Sequence, residues 1–190
     1  MKRLLACFAL VLAVGCSTAE PEAPEADTAR VAIEIENYGT IVVELDAAAA
    51  PLTVENFLNL VDTGFYDGLT FHRIIEGFMM QGGDPEGNGF GGSGTTVHGE
   101  FSANGWDNPI LHERGVISMA RSKQPDSASS QFFILQQDAP HLDGSYAAFG
   151  RVVEGMDVVD AVCRDARPVD SNGTISPEEQ PRILSLKRTD

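Results

Sequence analysis

The sequence predicts a mainly β fold, an antiparallel barrel or sandwich, on three observations. Val31, Ile33 and Ile35 alternate with Ala32, Glu34 and Glu36, and Asn37-Tyr38-Gly39 separates them from a second extended run at 40–45, which is a hairpin pattern. Further on, the apolar runs at 70–75, 116–120, 131–135 and 147–153 are short and bounded by Gly, Pro, Asn or Asp, with no helical pattern between them, which suits an antiparallel barrel or sandwich better than a βαβ array. With 190 residues, 43% of them hydrophobic, the chain suffices for one buried core and is short for two.

The elements follow in order. Residues 1–15 read as a signal peptide: Lys2 and Arg3 precede an apolar run at 4–14, whose 11 residues fall well short of the roughly 20 that span a membrane. Leu12-Ala13-Val14-Gly15-Cys16 resembles a bacterial lipobox, which implies a lipidated Cys16 as the mature N-terminus and a membrane anchor, although Ala13 stands where Leu is commoner. Small, acidic and Pro residues make 16–30 a flexible tether, leaving 31–190 as the folded domain. After the hairpin, Pro51 opens a helix on which Val54, Phe57, Leu58 and Val61 form one face, and Gly64 stops it. A shorter helix is expected around 156–163 and a last strand around 183–187.

Of 3 cysteines, Cys7 lies in the leader, Cys16 is the expected anchor, and Cys163 shares an apolar stripe with Met156 and Val159, which suits a small buried hydrophobe and no catalytic role. Against 13 basic residues stand 28 acidic ones, a formal charge of −15 that argues against nucleic acid or any partner held through phosphates. The Gly87–Gly92 segment matches a dinucleotide fingerprint but lacks the flanking strand and helix. Asp84-Pro85-Glu86-Gly87-Asn88-Gly89 and the Asp170 to Thr174 segment echo calcium loops but read better as turns, and no His pair has metal spacing, so neither metal nor cofactor is expected. No Ser sits in a nucleophile-elbow frame, and His72 and His112 read as structural residues.

The informative segment is Phe71-His72-Arg73-Ile74-Ile75-Glu76-Gly77-Phe78-Met79-Met80-Gln81-Gly82-Gly83-Asp84. On a strand at 70–75, Phe71, Arg73 and Ile75 share one face, which sets a guanidinium among apolar neighbours, where it requires a partner: a structural ion pair or a functional ligand. The segment closely resembles the signature of cyclophilins, the peptidyl-prolyl cis/trans isomerases, and the similarity recurs through Val116-Ile117-Ser118-Met119-Ala120, Ser130-Gln131-Phe132-Phe133-Ile134 and Ala148-Phe149-Gly150-Arg151-Val152-Val153-Glu154-Gly155-Met156. The resemblance implies a closed eight-stranded antiparallel β-barrel capped by two α-helices. It further implies Arg73 as the catalytic residue, a proline pocket of Phe78, Met79, Phe133 and Leu142, an orienting Gln81, peptide-accepting backbone at Ala120 and Arg121, and a pocket edge at His141 and Tyr146.

Many eukaryotic cyclophilins carry a Trp where this chain has His141, a His where it has Tyr146, and an Asn where it has Arg121. The first change removes the indole donor associated with cyclosporin binding and implies weak inhibition, while Tyr146 keeps an aromatic wall with a polar tip. The expected protein is therefore an exported, lipid-anchored, monomeric isomerase of flexible proline-containing polypeptides. The alternative is a proline-binding chaperone independent of turnover, which would have no need of Arg73.

Overall fold

The computed structural model describes residues 28–189. The expected signal peptide, the lipidation site at Cys16 and most of the tether lie outside the described residues. Strand β1 (Thr28–Ile35) begins inside the segment expected as tether, its Thr28 and Arg30 paired with Asp46 and Glu44 of β2 (Gly39–Asp46). The Arg30 guanidinium also grips the Glu44 carboxylate at 2.8 Å, a cross-strand contact that the small and acidic composition did not announce.

Helix α1 (Pro51–Asp62) buries Val54, Phe57, Leu58 and Val61, the predicted face. Its first N–H groups are capped from far along the chain: the buried Glu100 carboxylate accepts from Leu52 at 3.0 Å and Thr53 at 2.8 Å. β3 (Thr70–Ile75), β5 (Val116–Met119), β6 (Phe132–Leu135), β7 (Ala148–Glu154), α2 (Met156–Asp165) and β8 (Ile183–Thr189) fall on the predicted runs within a residue or two.

Strand β4 (Met79–Asp84) was hidden in the sequence by Gly82 and Gly83, poor strand formers. Tertiary crowding requires both. A Cβ on Gly82 would lie 2.8 Å from the Thr70 carbonyl oxygen, and one on Gly83, at φ +81°, would lie 2.5 Å from that of Ser130.

The eight strands form one antiparallel sheet in the order β3-β4-β6-β5-β7-β2-β1-β8. The ladder expected to close is not continuous: its end strands β3 and β8 meet at an isolated Thr70/Arg182 bridge, flanked by main-chain bonds from Phe71 to Pro181 and between Leu69 and Ile183. Pro181 supplies no N–H, and further along β3 the free edge is taken by residues 173–175, through bonds from Ile74 to Gly173 and from Ile175 to His72. The expected architecture holds in its strand number, antiparallel sense and two helices.

Two apolar clusters share the sheet. The inner one is built around Phe57, Tyr66, Phe71, Phe132 and Phe149; the outer one gathers Met79, Val116, Phe133, Leu135, Ala139, Leu142 and Ala148. Strand β6 serves both, sending Phe132 and Ile134 inward and Phe133 and Leu135 outward, so its run is apolar throughout. Cys163 is buried on α2 beside Val159, and burial pushes its thiol up to about 12, so it is chemically quiet.

Candidate active site

The face carrying Arg73 is set by an irregularity. The β3/β4 register shifts between Phe71 and Arg73, so Phe71 pairs with Gly82 and Arg73 with Gln81, leaving His72 as the extra residue. Phe71 therefore points into the inner cluster, and so does Ile74, while Arg73 and Ile75 face the outer one. The expectation that Phe71 shares Arg73's face is corrected by this bulge, since one extra residue inverts the alternation.

Arg73 is half-buried and held at a fixed angle. Its Nε donates to the Asn172 carbonyl at 2.8 Å, and its Nη1 donates to Gln81 Oε1 at 3.2 Å and lies 3.9 Å from Met79 Sδ. Gln81 Nε2 donates to Gln131 Oε1 at 2.9 Å, and Gln131 Nε2 to the Gly91 carbonyl at 2.8 Å. This relay orders three side chains and leaves Nη2 without a partner among the described residues. Partial burial lowers the Arg73 pKa from its ordinary value, against the opposing influence of Tyr146 and Asp170, yet a guanidinium that starts so high stays charged.

Beside it stands an apolar wall. Met79, Phe133 and Leu142 are buried in the outer cluster, with Phe78, Ala120 and Tyr146 packed against them. Tyr146 meets Phe133 edge-on at 5.9 Å, and His141, exposed on its loop, packs its ring 5.6 Å from Phe78. His141, expected at the pocket edge, is exposed and stands beside Phe78. A groove of about 340 Å³ continues from this wall along Gln81, Ala120, Arg121, Ser129, Gln131 and Phe90. The Ala120 N–H is already given to the Gln131 carbonyl at 2.9 Å, so of the main-chain groups expected to receive a peptide it is not one.

All ten domain residues nominated from the sequence, Arg73, Phe78, Met79, Gln81, Ala120, Arg121, Phe133, His141, Leu142 and Tyr146, come together on this face. Gln131 and Asn172 were missed: Gln131 lies within a segment that carries the resemblance but was given no role, and Asn172 acts through its main chain, which no residue type reveals. His112, read as structural, is buried as part of an Asp-His-Ser chain that the sequence had not indicated: its Nδ1 lies 3.0 Å from Asp143 and its Nε2 3.1 Å from Ser118. Ser118 and His112 are buried and the imidazole stacks on Phe133, so the chain supports the pocket floor and offers no accessible nucleophile. Trp106 donates to the Ala49 carbonyl at the start of α1. The two calcium-like loops are self-satisfied turns, with Asp84 accepting from Glu86, Asn88 and Gly89, and Asp170 from Asn172 and Thr174.

A fixed cation stands beside an apolar wall with an open groove alongside, and among the described residues no group of three or more His, Cys, Asp or Glu side chains could hold a metal ion. Residues 30–188 match the family described as cyclophilin type peptidyl-prolyl cis-trans isomerase. The chain is 47% identical over 123 residues to peptidyl-prolyl cis-trans isomerase B of Bacillus subtilis, covering 65% of this chain and 82% of that one. It is 45% identical over 128 residues to a peptidyl-prolyl cis-trans isomerase of Helicobacter pylori, covering 66% and 76%. A crystal structure of a cyclophilin-type isomerase from Cryptosporidium parvum superposes with a TM-score of 0.75 at 31% identity, covering 86% of this chain and 98% of the other, and a second crystal structure of that protein was determined in the presence of the dipeptide Ala-Pro. The chain belongs to the cyclophilin-type peptidyl-prolyl cis-trans isomerase family, and its enzyme class is that of a peptidyl-prolyl isomerase.

Proposed function

We propose that the protein accelerates rotation about X–Pro bonds of exported polypeptides and assists their folding, with Arg73 as the catalytic residue. The barrier to that rotation, about 18–20 kcal/mol, comes from amide resonance, while cis and trans lie within about 1 kcal/mol, so the catalyst has only to bind the twisted amide better than the planar one. As the bond twists, the prolyl nitrogen recovers its lone pair. Arg73, anchored by Asn172 and Gln81, presents an uncommitted donor to that nitrogen, and this arrangement is the observation that carries the reading.

Phe78, Met79, Phe133 and Leu142 hold the ring and exclude water, which strengthens the Arg73 contact. The Ala120 carbonyl and the Arg121 N–H receive the peptide main chain, and His141 and Tyr146 border the pocket. No cofactor takes part. The protein acts as a monomer, exported through residues 1–15 and anchored through a lipid on Cys16 to the periplasmic side or the cell surface, on the strength of the basic, apolar and lipobox pattern.

The full chain, assayed on an Ala-Pro peptide with a protease that cleaves only the trans form, is expected to accelerate the cis-to-trans step. A rate equal to the uncatalysed one overturns the isomerase reading and leaves a proline-binding chaperone. Mass spectrometry of the mature N-terminus decides the anchor: a diacylated or triacylated Cys16 is expected, and a free or absent Cys16 refutes it.

A further inference from the structure

Arg121 stands two residues past β5, half-buried on the groove, and its guanidinium bonds to the fold itself. The guanidinium carbon lies 4.9 Å from the ring centroid of Phe101 and 4.7 Å from that of Tyr146, so the cation is gripped between two aromatic rings. Nε and Nη2 both donate to the Ser145 carbonyl, at 3.0 and 2.7 Å, and Nη1 donates to the Ser122 carbonyl at 2.9 Å. All three nitrogens thus bond to main-chain carbonyls of the fold, which fixes the plane of the group.

These contacts join three segments that share no regular ladder. Phe101 is buried in the inner cluster and begins the turn at Ser102–Asn104, whose Ala103 donates its N–H to the Gly144 carbonyl at 2.8 Å. Ser145 closes on the Leu142 carbonyl at 3.0 Å, and Tyr146 leans edge-on against Phe133. Arg121 thus ties the turn holding two walls of the pocket, Leu142 and Tyr146, to a residue of the main core.

We infer that Arg121 is a positioning residue: its guanidinium sets Tyr146 and the 142–146 turn against Phe133, so that the pocket is formed before the proline arrives. This rests on the reading of that pocket as the proline site. The contacts are made within the fold, to two rings and two carbonyls, and stay the same as the amide twists, so they act on planar and twisted substrate alike and appear in KM rather than kcat. A loose wall has to be ordered by the substrate, at the expense of affinity. Lysine cannot replace it, having no planar face to stack and no pair of parallel donors for one carbonyl.

The experiment measures kcat and KM of the full chain carrying Arg121→Ala, Arg121→Lys, Tyr146→Ala and the Arg121→Ala/Tyr146→Ala pair. Arg121→Ala is expected to raise KM by about tenfold, the size of one lost ordering contribution, with kcat within about threefold. Lysine should not rescue it, and the loss in the double variant should fall well short of the sum of the single losses, because Arg121 acts in part through Tyr146. An unchanged KM in a folded Arg121→Ala, a loss confined to kcat, rescue by lysine, or additive losses in the double variant would each overturn the inference. If the alanine variant does not fold, Arg121→Gln, which keeps one donor for Ser145 without the charge, is held to the same KM criterion. Inactivity of the wild type would instead defeat the isomerase reading, a separate result.

Discussion

Replacing Arg73 by Ala removes one cation and its contacts with the Asn172 carbonyl, Gln81 and Met79. A preorganised donor aimed at charge that develops only in the transition state is worth about 10²–10³ in kcat, roughly 2.7–4 kcal/mol. Two features of this site pull in opposite directions within that range. The apolar wall of Met79, Phe133 and Leu142 raises the value by excluding water, whereas Arg73 is itself only half-buried, which screens it. We expect a fall in kcat of about 100-fold or somewhat more, with KM changed less than about threefold, because the planar amide nitrogen has no lone pair to bind. Arg73→Lys keeps the charge but cannot span Asn172 and Gln81 together, and a loss of about 10-fold or more is expected. The protease-coupled assay reads both variants, and a thermal melt checks the fold, where the lost hydrogen bonds should cost only about 1–2 kcal/mol. Retention of more than about a third of wild-type kcat/KM by the alanine variant, or a loss wholly in KM, would refute the assignment of Arg73 as the transition-state donor.

Other consequences are as specific. Glu100→Ala should destabilise the protein by about 2–3 kcal/mol in urea unfolding, since both carboxylate oxygens cap α1 from a fully buried position; a loss under about 0.5 kcal/mol would show the cap to be dispensable. Burial is the main cause holding His72 and His112 below the ordinary histidine pKa of 6.5, opposed by Asp84 for the first and Asp143 for the second. The unfolded chain then takes up protons that the folded chain refuses, so stability is full above about pH 6.5 and falls as the pH drops through the folded values. The Asp62, Asp84, Asp126, Asp160 and Asp170 carboxylates, held below 3.8, add acid sensitivity only at lower pH, so equal unfolding free energies at pH 7.5 and 5.5 would contradict the histidine assignment. Cyclosporin should bind weakly because His141 offers no indole donor beside Phe78, and His141→Trp should tighten it; a nanomolar dissociation constant for the wild type would overturn this.

Strands with clear alternation or unbroken apolar runs were legible because their side chains report burial directly. Strand β4 was not, since Gly82 and Gly83 are chosen for what the neighbouring backbone leaves no room for, and a missing side chain carries no pattern. The nominated pocket residues were legible through the family signature, whereas Gln131, Asn172 and the His112–Asp143–Ser118 chain were not. They act through a relay, a carbonyl and a buried network, whose partners, His112 and Ser118 aside, are separated by tens of positions. His72 shows the limit most sharply: two-residue periodicity put Phe71 and Arg73 on one face, and a single bulge parted them.

By itself, the sequence determined a mainly β fold with two amphipathic helices and a family signature, and through that signature it nominated one arginine for the catalytic role. Those properties reside in residue type and local period, where apolar burial and turn chemistry act over a few positions. The tertiary structure decided which way Arg73 faces, what holds it, and that the Arg121 guanidinium lies against Phe101, Tyr146 and the Ser145 carbonyl. Direction and restraint depend on register and on contacts across the sheet, and these arise only when the main core has closed and segments such as 101–105 and 142–146 are brought side by side.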